Sequence, residues 1–370
     1  MRNNQQQTNS KKFLFLVVGV SIFLVLCFCI FLFQQRPQDS INSSEEKILR
    51  IYDWENYFSP ETLANFEKET GITVDLTTFV NEDEVLAAVQ SDPSQYDLVL
   101  SSDSNIELLL YMKLVTLLDR KKIPNLKNFD ESVLAHVDTL VGEYTVPYLW
   151  GTTGILVNTE KIPDYSKSWD LLWDDRYSGK LAMLDDSWEV IGAGLKSLHY
   201  PLVPDNDEQL NQAWQKLSKQ RPLLYDYVPS LDLEELFVDG SVWAAQVYNG
   251  DAQEFIAKHP DLHLTYFIPD EGSSLWIDSF FIPIAAKHKN NAYLFLDYLL
   301  RPDVGADFAS YLKYATPNKA AKQLISPSLL ENSGIYPLES DMARLEYFDN
   351  TKVNHMLYNK IWSDIRFFSL

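Results

Sequence analysis

The chain has 370 residues, 46% of them hydrophobic, and a net charge of -21, enough chain and apolar content for two ordinary domains with real cores. Five basic and three acidic residues fall in positions 1–47, which leaves 26 of the 31 basic and 49 of the 52 acidic residues in the body, 48–370. That balance argues against nucleic acid or anionic lipid as a partner of the body and suits a cationic ligand.

Residues 1–12 read as a polar cytoplasmic tail carrying Arg2, Lys11 and Lys12. Residues 13–33 are uncharged and apolar; as a helix they would span about 30 Å at ~1.5 Å per residue, the thickness of a bilayer core. The length of this run, the basic flank before it and the lack of a small-residue cleavage site favour an uncleaved transmembrane anchor over a cleaved signal. Cys27 offers a lipoprotein alternative, although Leu26 precedes it where a small residue is preferred. Residues 34–47 form a polar linker, so the body is expected in the periplasm, tethered to the inner membrane. Cys27 and Cys29 are the chain's two cysteines, which leaves the body without a disulfide, thiol nucleophile or cysteine metal site.

From Ile48 short β-rich runs alternate with amphipathic helices. LRIYDW (49–54) predicts a strand, and Ser59-Pro60-Glu61 a helix start with Ser as N-cap and Pro in the first turn, the helix running to Glu69. Gly71 ends it, ITVDLTTF follows as a strand, EDEVLAAVQ as a helix and YDLVLSS (96–102) as a third strand. This rhythm predicts a parallel, doubly wound α/β sheet, in which ligands sit beyond the strand C-termini: here Asp53–Tyr57 and Ser101–Ser104. Residues 144–157 predict two extended segments with a bend at Trp150-Gly151. A second α/β block follows, with strands at 180–184, 241–249 and 262–269 and helices from Ser187 and over 207–219. Then come a strand through Trp276, helices over 288–300 and after Arg301-Pro302-Asp303, and a helical tail.

Trp276 and Asp278 are two apart on a strand and so share a face: an aromatic ring beside a carboxylate, a pair suited to an organic cation. A half-buried strand with an inward Trp and an edge Asp explains the same residues. Asp186-x-x-Glu189 fits an N-cap with a carboxylate at the third helical position as well as it fits two cation ligands. Trp54 and Tyr57 suit either an aromatic wall or a cover for the sheet end, Tyr248 and Tyr314 either a wall or packing, and Ser102 either a helix cap or an amine contact. The chain carries no G-x-S-x-G, phosphate loop, G-x-G-x-x-G or H-E-x-x-H, so the sequence gives no sign of an enzyme, a cofactor or a metal.

Seven motifs occur in an order that resembles the extracytoplasmic spermidine/putrescine-binding proteins of polyamine ABC importers. They are Tyr52-Asp-Trp-Glu-Asn-Tyr57, Tyr96-Asp-Leu-Val-Leu100, Pro147-Tyr-Leu-Trp-Gly-Thr152, Leu184-Asp-Asp-Ser-Trp-Glu-Val190, Leu275-Trp-Ile-Asp-Ser279, Leu300-Arg-Pro-Asp-Val304 and Ala315-Thr-Pro-Asn318. The resemblance covers about residues 48–370 and implies a two-lobed, type II periplasmic-binding-protein fold with three inter-lobe crossings, near Trp150, Trp276 and Thr316. Lobe 1 would comprise 48–150 and 276–315, lobe 2 residues 151–275 and 316–370. It implies capture of a polyamine in the cleft, closure by hinge motion and delivery to ABC permease subunits. The implied ligand-binding residues are Trp54, Tyr57, Ser102, Asp186, Glu189, Tyr248, Trp276, Asp278 and Tyr314. Tyr248 stands where the family has Trp, Ser104 where it has Tyr, and Phe348 where it has Gln; Glu55 and Asn56 exchange the polar and acidic characters of the first-strand pair. A membrane-tethered polyamine sensor reporting to a signalling partner fits the same residues.

Overall fold

A computed structural model describes residues 46–129, 141–349 and 352–367. The apolar run 13–33 lies outside them; among the described residues no helix is long and apolar enough to cross a membrane. β1 (Ile48–Trp54) runs parallel to β2 (Thr73–Phe79), pairing Ile48 with Thr73 through to Trp54 with Phe79. Between them lies α1 (Pro60–Thr70): Ser59 caps it by accepting from the Thr62 N–H, and Gly71 closes it at φ 68, a left-handed value that costs glycine little. α2 (Glu82–Ser91) leads to β3 (Leu98–Ser102), also parallel to β1, and α3 (Asp103–Tyr111) follows.

Thr145–Asn158 forms a single continuous strand, β4, where the sequence suggests a bend at Trp150-Gly151. After it come β5 (Leu181–Leu184), α4 (Ser187–Lys196), α5 (Asp207–Gln220), β6 (Leu224–Val228), α6 (Leu233–Val238), β7 (Ala244–Tyr248), α7 (Asn249–Lys258), β8 (Leu264–Phe267) and β9 (Ser273–Phe281). β4 changes partners instead of direction: Thr145–Thr152 pairs with β9, Thr153–Val157 with β7 and Ile155–Asn158 with β8, all antiparallel. Gly151 serves close approach, not a turn: a Cβ there would lie 2.4 Å from Trp276 Cζ2 and 2.4 Å from Asn249 Oδ1. α8 (Lys289–Leu299), α9 (Pro302–Leu312), β10 (Leu345–Glu346) and α10 (His355–Phe367) complete the chain's main elements.

The strand order is β2-β1-β3-β9-β4-β7-β5-β6, with β8 added to β4 and β10 to β9. The outer pairs are parallel, as the alternating elements predict, while β4 and β9 join the two halves antiparallel. Each half has its own core. Leu49, Phe66, Leu98, Phe280 and Phe295 belong to one; Ile155, Trp169, Met183, Ile191 and Leu217 to the other. The stretch after Thr316 serves both: Ala321 and Ile325 pack in the first core, Tyr358, Ile361 and Ile365 in the second. β9 alternates as its sequence suggests. Leu275, Ile277 and Phe281 enter one cluster, whereas Trp276 and Phe280, four residues apart and one residue out of step with these, pack against another on the opposite face.

Candidate functional site

Three tyrosine hydroxyls each donate to a different aspartate. Tyr57, beyond the end of β1, donates to Asp278 Oδ2 of β9 at 2.8 Å. Tyr248, the last residue of β7, donates to Asp186 Oδ2 at 3.0 Å. Tyr314, after α9, donates to Asp251 Oδ1 in the first turn of α7 at 3.0 Å. The rings form a continuous row: Tyr57 to Tyr314 at 5.8 Å, Tyr314 to Trp276 at 5.2 Å and Trp276 to Tyr248 at 5.8 Å between centroids. Tilted and edge-on packing at these distances is favourable for aromatic pairs. Two glycines make room for the row: Gly151 under Trp276, and Gly250, where a Cβ would lie 2.4 Å from the Tyr314 ring.

The Asp186 end is built on a helix start. Asp186 Oδ1 accepts from the backbone N–H of Trp188 and Glu189 at 2.9 and 3.1 Å, leaving Oδ2 to Tyr248. The capping and site readings of Asp186 therefore describe two oxygens of one carboxylate. Glu189 does not reach back to close a capping box; it accepts from Ser274 Oγ through both oxygens, at 2.9 and 2.8 Å. Ser274 lies on β9, so the crossing strand touches both acidic ends, through Ser274 and Asp278.

Electrostatics sets these carboxylates apart from surface acids. Burial pushes Asp278 up from 3.8 to about 8, the charge of Glu82 adds to the shift and the Tyr57 bond opposes it. Burial also pushes Glu189 up to about 8, followed by the charge of Asp186, with the Ser274 bonds opposing. Asp251 rises to about 6 by burial, against the bonds from Ser230 and Tyr314. Among the described residues Asp278, Glu189 and Asp251 form no ion pair. A protonated amine is the partner that would satisfy such groups, with the rings as walls for its methylenes.

Seven of the nine residues picked from the sequence are thus drawn together: Tyr57, Asp186, Glu189, Tyr248, Trp276, Asp278 and Tyr314. Trp54 sits at the C-terminal end of β1 with its ring 4.6 Å from Phe79. Ser102 precedes α3 without a side-chain cap bond; its Oγ lies 3.1 Å from Ser104 Oγ, and its register partner on β9 is Asp278. Glu55 and Asn56 are exposed, directly after Trp54 at the end of β1. Phe348 stands edge-on to Trp188 at 5.9 Å and packs on Gly192, where a Cβ would meet its ring at 3.0 Å. Sequence reasoning missed Asp251, Ser274 and Glu82. Asp251 carried a signal, one helical turn after Tyr248; Ser274 and Glu82 enter only through pairing between distant segments.

Residues 61–334 match the family model described as bacterial extracellular solute-binding protein. The spermidine/putrescine-binding periplasmic protein of Salmonella typhimurium is 30% identical over 327 residues, 88% of this chain and 93% of that protein. The putrescine-binding periplasmic protein of Escherichia coli is 34% identical over 322 residues, 82% and 86% of the two chains. Among solved structures, a spermidine/putrescine ABC transporter substrate-binding protein of Streptococcus pneumoniae, in complex with calcium and HEPES, is 31% identical with a TM-score of 0.74, covering 86% of this chain and 97% of that one. A lipoprotein of Treponema pallidum is 27% identical with a TM-score of 0.78, covering 86% and 99%.

Proposed function

This chain belongs to the bacterial extracellular solute-binding protein family, and from that premise we propose that it captures spermidine or putrescine between its two lobes and delivers it to an ABC importer. The observation that carries the reading is the row Tyr57–Tyr314–Trp276–Tyr248 with its hydroxyl-tied carboxylates, of which the buried one, Asp278, forms no ion pair among the described residues. The names of the curated relatives agree with it. The Streptococcus pneumoniae relative is an ABC transporter substrate-binding protein, which supports import and not the sensor reading.

In this reading Asp278 and the Asp186–Glu189 pair take the terminal amines, and Trp276 and the tyrosines wall the methylenes. Trp54 and Ser102 complete the mouth of the site. Exposed ion pairs contribute only about 0–1 kcal/mol, and a cation–π contact about 0.5–2 kcal/mol, more when dry, so lobe closure that excludes water is needed for tight binding. The lobes are 48–150 with 276–315, and 151–275 with the C-terminal part. The packing of Ala321 and Ile325 supports extending lobe 1 past Thr316. Calorimetry of residues 48–370 with a polyamine panel tests the function: absence of heat and of thermal shift with every polyamine at millimolar concentration would overturn it.

The protein works outside the cytoplasm, as its family does. Residues 13–33 hold it at the inner membrane, the reading supported by their uninterrupted apolar length. Mass spectrometry of the native N-terminus distinguishes this from lipidation at Cys27 and from a free, cleaved body. The lipoprotein among the structural relatives makes the Cys27 product the outcome to watch for.

A further inference from the structure

Glu82 opens α2 and folds its carboxylate back onto β3. Ser101 Oγ donates to Oε2 at 2.5 Å and the Ser102 N–H to Oε1 at 3.0 Å, while Asn105 Nδ2 donates to Oε2 at 2.7 Å. A ten-residue helix beginning at this residue adds its positive end to the same charge. Three donors and a helix start favour a carboxylate, yet burial first, and then the charge of Asp186, push its carboxyl up. Ser102 is paired in register with Asp278, Glu82 raises the Asp278 carboxyl by its charge, and Asp186 acts on Glu82 from the other end of the aromatic row. Among the described residues no Lys or Arg forms an ion pair with Glu82. An anion so well held, and so poorly matched by its surroundings, has its use when a cation arrives.

We propose that Glu82 is a specificity-determining residue of the cleft, which acts without touching the ligand: its charge acts on both acidic ends and favours ligands with more protonated amines. The inference rests on the polyamine reading above. A merely structural Glu82, needed to hold Ser102 in place, would weaken every ligand by one factor. A field acts on each ammonium, so its removal must weaken a triamine more than a diamine.

The test is calorimetry of the soluble body with putrescine and spermidine on the wild type, Glu82→Gln and Glu82→Asp. Wild-type protein that binds neither ligand would refute the polyamine reading itself. Given wild-type binding, the expected result is a loss for Glu82→Gln at least threefold larger with spermidine than with putrescine, while Glu82→Asp, which keeps the charge, preserves the wild-type ratio of the two affinities within about threefold. Equal losses for both ligands, or unchanged affinities in Glu82→Gln, would overturn the proposal. If Glu82→Gln yields no folded protein, Glu82→Met, which also removes the charge at similar size, takes its place under the same criterion: a loss at least threefold larger with spermidine than with putrescine supports the proposal, and equal losses overturn it.

Discussion

The two acidic ends of the aromatic row are built differently. At one, Asp186 spends an oxygen on two backbone N–H groups of a helix start and keeps the other for Tyr248. At the other, Asp278 stands in mid-strand with Tyr57 as its hydroxyl donor, and burial lifts it to about 8. A helix start supplies fixed donors that hold a carboxylate ready, whereas a strand interior supplies none, because its backbone groups are already committed to the ladder. Asp278 therefore depends more on a ligand's charge than Asp186 does, while Glu189, buried beside Asp186 and lifted to about 8 as well, shares the need of Asp278.

Asp278→Asn should produce the largest effect. Binding should fall by about 2–5 kcal/mol, the cost of removing one partner of a buried charge pair, while the melting temperature of the free protein holds or rises. A lowered melting temperature with affinity unchanged would make Asp278 a structural edge residue and erase the contrast between the ends.

The pH dependence follows with its sign. A carboxyl raised from 3.8 to about 8 keeps its proton in the folded protein while the unfolded chain has lost it. The contribution to free-protein stability is therefore full below about 4 and declines as pH rises toward about 8. Melting of the ligand-free body between pH 5 and 8 should show this decline, shallower in Asp278→Asn. Because an ammonium favours the ionised form, binding should release protons, read as a dependence of calorimetric heat on the buffer's ionisation enthalpy. A flat melting profile together with no proton release would contradict the burial argument.

Gly151→Ala tests the shared wall. Its new Cβ would collide with Trp276 and Asn249 and should cost about 1–3 kcal/mol of stability by overpacking, with weaker binding as the ring shifts. Denaturant melts and calorimetry on one preparation measure both. Tyr248→Phe is the mildest: it keeps the ring and removes one hydrogen bond to Asp186, so polyamine affinity should fall by about 0.5–1.5 kcal/mol. A loss as large as that of Asp278→Asn would mean that the helix end, despite its backbone donors, relies on its tyrosine as heavily as the strand end relies on its charge.

Much of this protein follows from local patterns in its sequence. Ser59-Pro60 and Gly71 bound α1, the apolar runs mark the strands, and period-two alternation puts Trp276 and Asp278 on one face. These features are set by a residue and its near neighbours, so reading along the chain reaches them. Tertiary structure alone decided what depends on distant segments meeting. The small residues at Gly151 look like a bend in sequence, but they lie within a continuous strand, and the approach of Trp276, more than a hundred positions away, uses the room they leave for a ring. The pairing of each tyrosine with its aspartate is of the same kind: Tyr57 and Asp278 are 221 residues apart, and a hydroxyl and a carboxylate carry no sign of their partner until the sheet brings them within hydrogen-bonding reach.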